Sequence, residues 1–194
     1  MMKRKFYDLM LEWKSESNGR TALMIDGARR VGKSYIAEAF AKNEYDDYLL
    51  IDFSKVKPKV KRYFDEYLDD LDTFFMYLFT EFKVNLPRNR SVIIFDEVQK
   101  FPRAREAIKH LVKDGRYHYI ETGSLISIKR NVRDIVIPSE ERHLALYPMD
   151  FEEFLWACGN ETAMPLIARR FATRQEVGRE MNDTLMHLFR QYLV

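Results

Sequence analysis

Residues 24–35 read MIDGARRVGKSY, and the fold turns on how that stretch is read. An apolar run enters Gly27, four residues follow, and then comes Gly32-Lys33-Ser34. This satisfies G-x-x-x-x-G-K-[ST], the spacing of a phosphate-binding loop. The physical need is close approach of backbone N–H groups to a polyphosphate. Side chains at 27 or 32 would hinder that wrapping and the positive-φ conformations it uses. A helix opening at the end of the loop would aim its first N–H groups at the anion, together with about half an elementary positive charge. Lys33 then supplies a point charge to the β- and γ-phosphates, and Ser34 an oxygen ligand for Mg²⁺. The candidate nucleotide-binding segment is therefore Gly27, Ala28, Arg29, Arg30, Val31, Gly32, Lys33, Ser34 and Tyr35. Within it, the side chains of Arg29 and Arg30 read as solvated or ion-paired.

The flanking sequence supplies the context that such a loop requires. TALMID (21–26) reads as a buried strand running into the glycine, and SYIAEAFAK (34–42) as the helix leaving it. Outward from there, DDYLLIDFS (46–54), SVIIFDE (91–97), RYHYIETGS (116–124) and HLALYP (143–148) read as further strands. Helices are expected over 3–14, twice within 60–84, and between Pro102 and Gly115, a proline-start and glycine-stop pair. The segment from Asp150 onward looks helical almost throughout. Strands alternating with helices predict a parallel sheet covered on both faces, the α/β class.

VIIFDEVQK (92–100) carries the second functional signal. Four apolar residues ending in Asp-Glu place two carboxylates at the C-terminal end of a buried strand, the edge where open α/β sheets bind ligands. Asp96 is the candidate Mg²⁺ ligand. Glu97 is placed to orient or deprotonate an attacking water. A third polar element closes the fourth strand in Glu121-Thr122-Gly123-Ser124; Ser124 is the first choice for a hydroxyl facing the γ-phosphate, and Thr122 the second.

The bulk composition narrows the alternatives. The chain has 194 residues, 46% of them hydrophobic and 14% aromatic, enough to build a core. A formal net charge of +2 is too balanced to announce a nucleic-acid binder. One cysteine and four scattered histidines offer neither a disulfide nor a metal-ligand spacing, which fits a reducing cytoplasm. MMKRKFYDLMLEWK interleaves charges with apolar residues and does not read as a signal peptide. The apolar run FFMYLF is far short of the roughly 18 residues that cross a bilayer, so no membrane association is expected.

Taken in order, GARRVGKS, IIFDEVQ, TGS and LALYPMDFEEFL resemble the prokaryotic AAA-type ATPases, in which an ATP-binding domain precedes a C-terminal domain of unassigned role. The resemblance covers about residues 5–160. It implies an additional-strand P-loop fold, a five-stranded sheet in the order 5-1-4-3-2, with ATP and Mg²⁺ as cofactors. It implies Lys33 and Ser34 on phosphate and metal, Asp96 on metal, Glu97 as the catalytic glutamate and Ser124 as the sensing hydroxyl. Gln99 matches the motif without an evident task. Arg142 stands where the family places an arginine finger, but Glu141 precedes it where a glycine is usual; Arg130 and Arg133 are rivals. The expected organisation is a P-loop core over 1–149 and a helical, lid-like segment over 150–194, which stops in mid-pattern as if truncated before a C-terminal domain.

The leading expectation is an ATPase using Mg-ATP binding and hydrolysis as a conformational or assembly switch, with a homo-oligomer or a protein partner left open. A nucleotide-dependent scaffold without hydrolysis is the alternative, touching DNA through SKVKPKVKR (54–62), five positive charges in nine residues. The acidic run that follows, YFDEYLDDLD, favours a self-neutralising surface instead. A small-molecule kinase would share the loop, but not the Asp-Glu-x-Gln motif. A GTPase is disfavoured, since no Asn-Lys-x-Asp guanine-reading motif is seen. The aromatic helix DTFFMYLFTEF reads as core packing.

Overall fold

Ser91–Asp96 is buried at all six positions, and Ala22 to Ile25 are buried likewise. Strands without polar alternation need cover on both faces, the condition of a parallel sheet. The computed structural model, which describes residues 2–124 and 140–193, shows such a sheet. Its strands are β1 (Ala22–Gly27), β2 (Asp47–Asp52), β3 (Ser91–Asp96), β4 (His118–Thr122) and β5 (Glu141–Leu146). They lie in the order β2-β3-β4-β1-β5, every pairing parallel, which is the expected 5-1-4-3-2 read from the other edge. Parallel alignment gathers the C-terminal ends of all five strands on one edge. β5 starts two residues earlier than its sequence suggests, because Glu141 pairs with Ala22.

Period-two alternation sorts the strand side chains between two cores. Leu23, Ile25, Val92, Ile94 and Ile120 face helices α1 (Phe6–Ser17) and α2 (Lys33–Glu44), packing on Phe6, Met10, Trp13, Ile36 and Phe40. Met24, Ile51, Ile93, Phe95 and Tyr119 face α3 (Pro58–Glu66), α4 (Leu71–Phe82) and α5 (Pro102–Asp114). The aromatic helix α4 puts Phe74, Phe75 and Leu78 into that core and leaves Met76 and Tyr77 exposed. α5 starts on Pro102 and ends at Gly115, whose φ of 74° suits a residue without Cβ.

The chain divides into two compact units, Phe6–Tyr147 and Met1–Lys5 with Pro148–Val194. The second contains α6 (Phe151–Ala157), α7 (Ala163–Thr173) and α8 (Arg179–Tyr192) around Leu155, Ala163 and Leu185. Its LYPMDFEEFL motif now has a physical reason. Asp150 caps α6, taking the Glu153 N–H at 2.8 Å, while Glu153 Oε2 accepts the Asp150 N–H at 3.1 Å, a capping box. The other oxygen of the buried Glu153 accepts the Lys5 N–H at 2.8 Å and meets Arg4 Nε at 3.1 Å. One carboxylate thus fixes both the helix start and the N-terminal residues of the same unit.

Three charged side chains between α5 and the sheet, Arg105 of α5, Glu141 of β5 and Glu121 of β4, are buried without apparent reason from sequence. Arg105 donates two hydrogen bonds to Glu141, at 3.1 and 2.8 Å, and both side chains are nearly inaccessible. Burial pushes the Glu141 carboxyl up, but hydrogen bonds from His143 and Arg105 bring it below the usual range. Glu121 on β4 is fully buried, with neither oxygen hydrogen-bonded among the described residues, and burial holds its carboxyl well above the usual range.

Two outcomes follow. A raised acid in the folded state binds a proton that the unfolded state releases, so Glu121 lowers stability as pH rises above about 4.5. Glu121→Gln removes that penalty, and its melting temperature relative to wild type should rise as pH is raised above about 4.5; a difference independent of pH would contradict the assignment. Gly27, with φ 146°, lies where an added Cβ would stand 2.2 Å from the Leu146 carbonyl oxygen. Gly27→Ala should therefore lose about 1–3 kcal/mol in urea unfolding, the usual cost of overpacking.

Candidate active site

The loop between β1 and α2 is shaped by its backbone. Gly32 is the N-cap of α2 at φ 96°, and Arg30 takes the left-handed region at φ 66°. A Cβ at Gly32 would meet nothing within 4 Å, so the dihedral and not the space selects glycine there. α2 begins without a side-chain cap and without an acidic residue in its first turn. Its positive dipole end therefore meets no acidic side chain of its own first turn, which suits an external anion. Ala28, Arg29 and Arg30 are exposed, Val31 is partly buried, and Tyr35 is exposed at 55%.

Lys33 lies nearly buried along this loop, its Nζ donating to the carbonyls of Ala28 at 2.7 Å and Gly27 at 3.3 Å. Burial lowers the affinity of this amine for its proton, while the carboxylates of Glu97, Asp96 and Asp26 work in the opposite direction. A phosphate group offers Nζ a better partner than two neutral carbonyls.

Asp96 ends β3, buried, and collects hydroxyls from two other elements. Ser34 Oγ, in the first turn of α2, donates to Asp96 Oδ1 at 2.7 Å, and Thr122 Oγ1, the last residue of β4, donates to the same oxygen. Thr122 Oγ1 also accepts the Glu97 N–H at 3.4 Å. Glu97 itself takes a left-handed conformation, φ 54° and ψ 42°, as it turns from the strand into a short 3₁₀ segment, Val98–Lys100. A non-glycine residue there costs of order 1 kcal/mol and is found where function holds it.

The structure therefore brings Lys33, Ser34, Asp96, Glu97 and Thr122 to one edge of the sheet. Thr122, the second choice from sequence, sets its hydroxyl against the acidic pair, and Ser124, the first choice, lies buried two residues further on. Thr122 is the last β4 residue in register with β1, and the Gly123 N–H binds the Ile25 carbonyl at 3.2 Å. Arg142 is not brought to this edge by its own chain. It stands opposite Leu23 near the start of β5 and pairs with Glu16 and Glu12 of α1. Leu146, which abuts Gly27, is four residues (146 − 142) further along, about 13 Å at 3.3 Å per residue. Glu141 points to the opposite face, toward α5. Arg130 and Arg133 lie outside the described residues.

Ser34 and Asp96 are hard oxygen donors in contact, which fits a Mg²⁺ site of one carboxylate and one hydroxyl completed by substrate phosphates and water. Among the described residues, no group of three His, Cys, Asp or Glu side chains gathers to form a metal cage. No described helix is long and apolar enough to cross a membrane.

No curated protein sequence matches the chain. Among solved structures it is similar to Hsp104, in the closed state determined with ATPγS and FITC-casein, with a TM-score of 0.53 and 13% identity over 92% of this chain and 35% of that one. C. elegans PCH-2 is matched at a TM-score of 0.41 and 12% identity, over 89% of this chain and 47% of that one. The chain thus spans less than half the length of either, and at these identities the first likeness bears on the fold alone. The AAA domain family matches residues 19–155, and with the loop, the strand order and the acidic edge in place, the chain belongs to that family of P-loop ATPases.

Proposed function

We propose that the chain binds Mg-ATP at residues 27–34 and hydrolyses it, and that turnover drives a conformational or assembly change. The observation that carries this reading is the convergence of Lys33, Ser34, Asp96, Glu97 and Thr122 at the uncapped start of α2. Ser34 and Asp96 would hold Mg²⁺, which would supply positive charge against that developing on the phosphates. Lys33 would exchange the Gly27 and Ala28 carbonyls for phosphate oxygens. Glu97, next to the metal ligand and in no ion pair among the described residues, would orient the attacking water and take its proton. Thr122 would hold the Asp96 carboxylate and the Glu97 backbone in mutual register, and Ser124 would add a hydroxyl near the γ-phosphate.

Arg142, engaged with α1, does not serve this loop in cis. An arginine supplied by a second copy or a protein partner would be worth about 10³ to 10⁵ in rate, so association should raise turnover. The scaffold reading through residues 54–62 has less support. Lys57 and Lys59 share Glu81, and Lys55 pairs with Asp52, so two carboxylates offset part of the positive charge of this stretch. A cytoplasmic setting agrees with a lone exposed cysteine.

Mg-ATP turnover measured over a range of protein concentrations tests the proposal. Rate per chain should rise with concentration, and Glu97→Gln should keep ATP affinity while losing about 10²-fold or more in rate. Equal turnover by wild type and Glu97→Gln would remove Glu97 from the chemistry.

A further inference from the structure

Gln99 is a polar side chain in a place that favours apolar ones. It is 6% exposed, within the Val98–Lys100 turn, and its Nε2 donates to Glu97 Oε2 at 2.5 Å. Burying an amide costs free energy unless it is hydrogen-bonded, so the use of Gln at this point calls for a partner that needs it. The turn is fixed on its other side. Val98 packs into the core under α3 and α5, the Lys100 N–H binds the Glu97 carbonyl at 2.9 Å, and the Phe101 N–H binds the Val98 carbonyl at 3.0 Å. With Val98 pointing inward, Gln99 turns back toward the carboxylate two residues before it.

We infer that Gln99 is a positioning residue: its amide anchors Oε2 of Glu97 and so presents Oε1 to the attacking water. The inference rests on the hydrolytic reading of Glu97 given above. A free glutamate side chain samples several rotamers, and fixing it costs conformational entropy. A hydrogen bond to a charged group is strong enough to offset that cost. The amide has no proton to give or take near neutral pH, so Gln99 acts only through Glu97. The backbone completes the arrangement, since Thr122 accepts the Glu97 N–H and Gln99 holds the other end of the same residue.

Two measurements test this. In kinetics, Gln99→Leu should lower kcat by about ten- to a hundredfold, the loss typical of groups that orient a reacting residue from behind, with KM for ATP nearly unchanged. Added to Glu97→Gln, the same substitution should alter the residual rate by less than about twofold, because two residues acting as one unit are non-additive. An unchanged kcat in Gln99→Leu, or an equal further loss in the Glu97→Gln background, overturns the inference; wild type no faster than Glu97→Gln fails the hydrolytic reading, and the inference with it. Independently of turnover, the side-chain NH₂ signals that vanish in Gln99→Leu should shift in Glu97→Ala, as observed by NMR. Unshifted signals overturn the contact itself in a protein that is folded.

Discussion

Asp96 Oδ1 is the point through which the site is assembled. It accepts hydroxyls from Ser34 at the start of α2 and from Thr122 at the end of β4, and it stands at the end of the most buried strand. A buried carboxylate without donors would be expensive, and each hydrogen bond to it contributes about 1.5–3 kcal/mol. The sheet, the loop helix and the acidic pair are therefore held in register by one charged atom. Ser34 and Asp96 are also the residues that would hold Mg²⁺, so the contact that orders the protein alone involves the same oxygens a metal would use. Lys33 shows the same economy: its ammonium group rests on carbonyls of the loop that would hold the phosphates.

Much of this was legible in the sequence because it is local or periodic. The loop spacing, the unbroken apolar strands and the Pro-start, Gly-stop helix over 102–114 each depend on neighbours within a few residues. The strand order came with the family resemblance, and the five paired strands reproduce it. What escaped reading depends on residues far apart in the chain. Glu141, which looked like an awkward neighbour for Arg142, is buried because Arg105, 36 residues before it, forms a two-point pair with it. Gly27 was assigned to phosphate approach, whereas the tighter constraint is the Leu146 carbonyl of β5. The contact of Thr122 with Asp96 depends on where β4 ends beside β3 and β1, which pairing between distant segments sets.

The FEEFL motif makes the same point from the other direction. It entered the sequence reading only as part of the family resemblance. In the structure Glu153 satisfies a helix start and the first residues of the chain at once, so its role is that of a junction within one unit. Gln99, equally unexplained by pattern alone, acquires a task once Val98 is seen to fix the direction of the turn.

The central claim is that this edge of the sheet is built for Mg-ATP. Calorimetric titration of ATP into wild type and Lys33→Ala, each with Mg²⁺ and with EDTA, tests it most directly. The account predicts saturable binding by wild type that weakens when Mg²⁺ is removed, and a loss of about tenfold or more on removing the Lys33 charge-assisted contact. ATP affinity that is indifferent to both Mg²⁺ and Lys33 would contradict it.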